Sequence, residues 1–157
     1  MYVAQQFSIE LTMLRYAGGK SKAVKALLPF VPEDTQDIVA PFLGGGAFEL
    51  ALAKRGVWVH GSDIDEPLVS FWQTMKGDRA ELVARLRNLH PFTKELFHEC
   101  QARLNEVDTP LNQAVRFFIV NRCCFSGCMT GGYSGARATM SSIDALAQRP
   151  FEVTRHD

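Results

Sequence analysis

One stretch constrains the fold more than any other. Ile38-Val39-Ala40 is a short apolar run that breaks at Pro41-Phe42 and turns through Gly44-Gly45-Gly46. Residues 47–54 are helix formers throughout, and Gly56 suits a helix-ending glycine. Val57-Trp58-Val59 begins a second apolar strand, which closes in Gly61-Ser62-Asp63-Ile64-Asp65. Strand, glycine loop, helix, strand and acid make a β-α-β unit, which predicts a parallel pair joined by a right-handed crossover. A loop without Cβ atoms lets backbone approach a ligand closely, and the helix that starts near Ala47 aims free N–H groups at it. Asp63 stands about 20 residues beyond the glycines, where an acid in such a unit accepts hydrogen bonds from ribose hydroxyls. Asp65 is the neighbouring candidate. The competing reading of Asp63 is an exposed strand end.

A different character follows Pro67. Residues 68–75, 79–89, 93–104 and 111–121 all read as helices, with Asp78 and Thr93 as expected N-caps. A helical insertion into an α/β sheet accounts for them. Residues 126–135 are glycine-rich and predict a hairpin or an irregular loop, and residues 151–154 alternate like a strand. Residues 22–30 form an amphipathic helix in this reading, ended by Pro29 and Pro32. The expected fold class is α/β, a partial Rossmann-like sheet carrying a helical insertion. The expected division is 1–66 for ligand binding, 67–140 for the insertion, and 141–157 for a return to the sheet.

Composition narrows the function classes. The chain has 157 residues, 46% of them hydrophobic, enough for one sizeable core. No apolar run nears the roughly 20 residues that span a bilayer, so no membrane partner is expected. Residues 1–10 do not read as a secretory signal. Cys100, Cys123, Cys124 and Cys128 match no zinc template; reduced thiols in a cytoplasmic protein are expected, and no metal. The net charge of +0 excludes a globally basic nucleic-acid footprint. Its distribution is uneven. From residue 111 onward Arg116, Arg122, Arg137, Arg149 and Arg155 face only Asp144, Glu152 and Asp157, and Arg15, Lys20, Lys22 and Lys25 form a second basic cluster. Lys20-Ser21 has the ending of a phosphate-binding P-loop, but Leu14 stands where that motif needs glycine.

Four motifs in order now carry a resemblance. Arg15-Tyr16-Ala17-Gly18-Gly19-Lys20 resembles the N-terminal cofactor motif of the Dam-type adenine-specific DNA methyltransferases. Pro41-Phe42-Leu43-Gly44-Gly45-Gly46 resembles that family's main S-adenosylmethionine loop, and Ser62-Asp63-Ile64-Asp65 its ribose-binding element. Asn121-Arg122-Cys123-Cys124-Phe125-Ser126-Gly127 is similar to the segment that opens its DNA-contacting hairpin. The resemblance implies a cofactor site of Tyr16, Gly18, Lys20, Pro41, Phe42, Gly44, Gly46 and Asp63. Tyr16 would pack on the cofactor, Lys20 would lie near its carboxylate or the loop, Phe42 would flank its adenine or methionine part, and Asp63 would hold the ribose. Arg122, Ser126, Thr130, Tyr133 and Arg137 would meet DNA, and the helices between residues 68 and 120 would belong to target recognition. Tyr16 and Phe42 also suit core aromatics, and Arg122 a structural ion pair.

Departures carry equal weight. The family usually has an acid before Pro-Phe, where this chain has Ala40. GATC-specific members read guanine with an arginine shortly after the Asn-Arg segment; here Cys128-Met129-Thr130 occupy that region, so GATC specificity is not carried over. The Asp-Pro-Pro-Tyr sequence with which the family activates the adenine amine is absent from residues 1–157. The expectation is a chain that stops short of its active centre, holds no catalytic residue of its own, and depends on a further segment or a second chain. The rival expectations are a non-catalytic cofactor- or DNA-binding module, and an unrelated nucleotide-binding fold.

Overall fold

The computed structural model describes residues 14–135 and 139–148. The expected strand at residues 151–154, the expected DNA contact Arg137 and residues 1–10 lie outside them. The chain begins with a turn at Gly18 and a short helix α1, Val24–Leu27, that continues as a 3-10 turn over Leu28–Phe30. The helix is shorter than its apolar spacing suggested. Pro29 has no N–H to donate, so the α pattern cannot run through it.

Strand β1 (Asp37–Ala40), helix α2 (Ala47–Ala53) and strand β2 (Trp58–Gly61) form the β-α-β unit. The strands pair in parallel, with Asp37 opposite Trp58 and Ala40 opposite Gly61. The turn that follows α2 closes at Gly56, whose φ of +86° suits a residue without a Cβ. There Gly56 N–H reaches Ala53 O at 3.0 Å and Val57 N–H reaches Leu52 O at 3.2 Å, the paired bonds that satisfy a helix's last carbonyls. The observed architecture is thus mixed α/β, with a two-stranded parallel sheet among the described residues.

The rest is helical: α3 (Glu66–Gly77), α4 (Arg79–Leu89), α5 (Lys94–Ala102), α6 (Pro110–Cys123) and α7 (Thr139–Gln148). Thr93 caps α5 as expected, its hydroxyl accepting Leu96 N–H at 3.2 Å, and Thr109 caps α6 the same way at 3.3 Å. Asp78 does not cap α4 with its side chain; its backbone carbonyl takes Leu82 N–H at 3.0 Å. Helix α3 packs chiefly on α6, while α7 packs on α4 and is pinned by an Arg87–Asp144 ion pair at 2.9 Å. One core joins them, built on Phe71, Phe92, Phe97, Phe117 and Phe118, all fully buried. Phe71 stacks on Phe118 with ring centroids 6.2 Å apart. Among the described residues no helix is long and apolar enough to cross a membrane.

Candidate functional site

Parallel pairing puts the carboxyl ends of β1 and β2 side by side, so the loops that leave them meet. Pairing persists past the strands: Ser62 N–H reaches Ala40 O and Leu43 N–H reaches Ser62 O, both at 2.9 Å. The loop then turns through Gly44 (φ +51°) and Gly46 (φ +62°), left-handed positions that a side chain strains. Asp63 ties the two loops together. Its Oδ2 accepts Gly44 N–H at 2.8 Å and its Oδ1 accepts Asp65 N–H at 3.2 Å. On the far side, Trp72 of α3 donates its indole N–H to Gly44 O at 3.0 Å. The glycine loop is therefore held from both sides.

Tyr16 lies over this loop. A Cβ on Gly44 would stand 2.9 Å from its ring, and one on Gly45 2.9 Å from its Cβ. Partial burial and the neighbouring Asp63 and Asp65 carboxylates raise the Tyr16 phenol above its ordinary pKa, so it remains a protonated donor. Burial likewise raises Asp65, with Asp63 adding to it. Gly18 has φ +76° and turns the chain after Tyr16. Lys20 folds back, its ammonium donating to Gly18 O at 2.9 Å. Pro41 and Phe42 are exposed at the mouth of the loop, Phe42 by 87%. Structure thus gathers Tyr16, Gly44 and Asp63 into one contact set, with Gly46 lying against Trp72 instead and Gly18 and Lys20 in the adjoining turn.

A second group of residues faces an open cleft of about 620 Å³ between the Tyr16 segment and the end of α6. Arg122, Phe125, Ser126 and Ser134 line one wall, and Arg15, Tyr16 and Ser21 the other. The Arg122 guanidinium is held below its ordinary pKa by burial and by Arg15, although it stays charged, and its Nε has no hydrogen-bond partner. It makes none of the ion pairs found among the described residues, which leaves the structural ion-pair reading without support. Residues 125–135 fold back in a small hairpin-like loop. Cys124 bridges Tyr133 antiparallel, and Phe125 N–H reaches Gly132 O at 3.1 Å. Ser126 adopts φ +55° without being glycine, at a cost of about 1 kcal/mol. Phe125 projects from the loop, 71% exposed, and Thr130 is exposed beside it. Tyr133 points inward instead: its hydroxyl donates to Phe92 O at 3.1 Å and its ring lies 5.4 Å from Phe97.

Trp72 and Gln101 escaped the sequence reading, and Asn121 entered it only as the start of the hairpin-opening motif, without its contact to Arg15. Gln101 braces the loop, its side-chain amide donating to Met129 O and Gly131 O, both at 2.9 Å. Trp72 sits beside the apolar stripe of Leu68, Phe71 and Met75, and an indole so placed needs a partner for its N–H. That need was the available signal. The cysteines contribute no buried nucleophile: burial pushes the Cys100 and Cys123 thiols up to about 11, and Cys124 also upward. No metal cluster exists among the described residues.

A family model for the D12 class N6 adenine-specific DNA methyltransferases matches residues 16–141, from the Tyr16 segment into α7. The chain belongs to this family. Among relatives of the D12 chain, it is 21% identical over 150 residues to the type II methyltransferase M.CviBI of Paramecium bursaria Chlorella virus NC1A, covering 91% of this chain and 57% of that protein. Against the DNA N-6-adenine-methyltransferase of Escherichia phage P1 it is 26% identical over 122 residues, covering 75% of this chain and 16% of that protein. This D12 chain therefore spans little more than half of one relative and about a sixth of the other.

Proposed function

We propose that these 157 residues are the methyl-donor and DNA-positioning part of an adenine-N6 DNA methyltransferase. In this reading β1 and β2 belong to a larger Rossmann-like sheet, residues 1–66 serve the cofactor, and the helical region serves target recognition. The observation that carries the proposal is the Asp63 carboxylate bonded to Gly44 N–H at 2.8 Å, at the carboxyl ends of two parallel strands. The residues fit a nucleoside. An ionised carboxylate offers about four acceptor positions, and two remain on Asp63 after Gly44 and Asp65 are served. Gly44 lies buried beneath the Tyr16 ring, which caps the loop with a protonated phenol, and Phe42 stands free at the mouth to lie against a flat base.

S-adenosylmethionine, when bound, supplies an electrophilic methyl group for the exocyclic amine of adenine. The chain's own part is to hold and orient. Asp63 accepts from ribose hydroxyls, and the glycine loop excludes water along one side of the donor. Arg122, Ser126 and Thr130 meet the DNA backbone, where charge fixes position and not sequence. Tyr133 supports that loop from within. The amine is a weak nucleophile because its lone pair is delocalised, and it needs acceptors for its hydrogens as well as alignment. The resemblance assigns that task to an Asp-Pro-Pro-Tyr segment, which residues 1–157 do not contain. Four free cysteines are in keeping with a reducing cytoplasm.

Calorimetric titration of the chain with S-adenosylmethionine and with duplex DNA tests the proposal, ATP serving as the control ligand. Binding of S-adenosylmethionine and DNA but not ATP is expected. Labelled methyl transfer to adenine-rich duplex by this polypeptide alone is expected to match a heat-killed control. Equal affinity for ATP, or turnover without a further segment, would overturn it.

A further inference from the structure

Asn121 is the most deeply buried polar residue of the described chain with a long-range partner. It lies in the last turn of α6, wholly inaccessible, among Phe118, Val120, Cys123 and Cys124. Burying a side-chain amide without partners is costly. Here the partners come from a segment 106 positions away. Arg15 N–H donates to Asn121 Oδ1 at 2.9 Å, and Asn121 Nδ2 donates to Arg15 O at 2.6 Å. The side chain thus pairs with the peptide groups of Arg15 as a neighbouring strand would. Gly127 secures the other side: a Cβ there would overlap Arg15 O, and its φ of +72° is also left-handed.

The residue after Arg15 is Tyr16, which lies on Gly44 and Gly45. From the DNA-facing loop to the donor loop the physical chain is short: Gly127 and Asn121 fix Arg15, Arg15 sets Tyr16, and Tyr16 covers the glycines that Asp63 braces. We infer that Asn121 is a positioning residue for the methyl-donor site, acting through the Arg15 backbone on Tyr16 without lining that site itself. This rests on the reading of the Tyr16–Gly44–Asp63 set as the S-adenosylmethionine site. If the clamp is removed, the segment must be ordered again whenever donor binds, and that ordering is subtracted from affinity.

The test is a double-mutant cycle on the 157-residue chain, with Asn121→Ala, Tyr16→Ala and both together, each titrated with S-adenosylmethionine. Asn121→Ala is expected to weaken binding about tenfold, and Tyr16→Ala by at least as much. The double variant is expected to bind like Tyr16→Ala, because Asn121 has nothing left to position. A merely structural role would instead multiply the two losses, and that result, or wild-type affinity in Asn121→Ala, overturns the inference. If Asn121→Ala does not fold by circular dichroism, Asn121→Asp replaces it in the cycle; it keeps the acceptor for Arg15 N–H and sets an oxygen against Arg15 O. Amide hydrogen exchange of wild type gives a reading free of variants: Arg15 N–H is expected to be protected, and exchange at an open-chain rate overturns the clamp. A wild-type chain that binds no S-adenosylmethionine while Arg15 is protected defeats the site assignment, and an unprotected Arg15 with normal binding defeats the clamp alone.

Discussion

Helix α6 buries ten of its fourteen residues, whereas β1 buries Ala40 alone and β2 buries none. Val39 is 73% exposed at the centre of β1, while Phe117, Phe118, Ile119 and Val120 at the centre of α6 are inaccessible. Both regions have well-formed backbone hydrogen bonds, so the contrast lies in side-chain burial. It separates the region that carries stability from the region of the proposed binding site. The helical body carries the hydrophobic free energy, at about 1.5–3 kcal/mol per large side chain. The strand pair carries the glycine loop and Asp63, in a corner that holds little apolar burial of its own. Loops positioned by a rigid body are a common arrangement for binding sites. Among the joints between the two regions are Trp72 to Gly44, Leu50 of α2 against the helical core, Tyr16 on the glycines, and Asn121 to Arg15.

The widest gap between the regions is expected in stability. Phe118→Ala removes a ring stacked on Phe71 in a closed core and is expected to cost about 3–5 kcal/mol. In a chain of this size that lowers the melting temperature by roughly 10 °C. Val39→Ala is expected to stay within about 0.5 kcal/mol of wild type, as an exposed position does. Calorimetric melts of the two variants decide it. Equal losses would mean that β1 is buried in solution, and the comparison would break.

Binding is expected to invert that order. Gly44→Ala forces a left-handed alanine whose Cβ meets the Tyr16 ring, costing about 1–2 kcal/mol of stability but more than tenfold in S-adenosylmethionine affinity. Asp63→Asn is milder. The amide retains one oxygen acceptor but turns an N–H₂ toward either Gly44 N–H or Asp65 N–H, so about tenfold weaker donor binding is expected with a near-normal melt. Isothermal titration checks both. Unchanged affinity in Asp63→Asn would move the donor site elsewhere in the molecule.

How much of this was legible beforehand follows the same divide. The β-α-β unit was readable because its signals are local: apolar runs, Gly44 and Gly46 at left-handed positions, and Gly56 at a helix end. The helices after Pro67 were readable from periodicity and from turns at Gly77 and Pro91. Local signals also misled. Asp78 has the chemistry of a cap but its side chain makes no capping bond, and Pro29 shortened a helix that apolar spacing had extended. What the sequence could not disclose is contact across distance. Nothing near Asn121 announces a partner 106 residues away, and nothing near Tyr133 announces that its hydroxyl turns inward to Phe92.

A further effect, one that depends on pH, lies within the helical body at its polar margin. Asp108 accepts from Asn112 at 2.8 Å and from Arg116 at 2.7 Å, and these bonds hold its carboxyl well below the usual carboxylate range. A carboxyl depressed in the folded state contributes stability above its unfolded pKa, and that contribution is lost as pH falls through the folded value. The affected window therefore opens below the ordinary aspartate value of about 3.9 and extends further into acid. Asp108→Asn is expected to melt slightly below wild type at neutral pH, because Arg116, only 9% exposed, loses its counter-charge. The difference should shrink as both are acidified below about pH 4, since protonation makes wild type resemble the variant. Melts at stepped pH measure it. A difference that holds constant into acid would show that Asp108 acts by shape and not by charge, and the margin of the helical body would then be as insensitive to titration as its core.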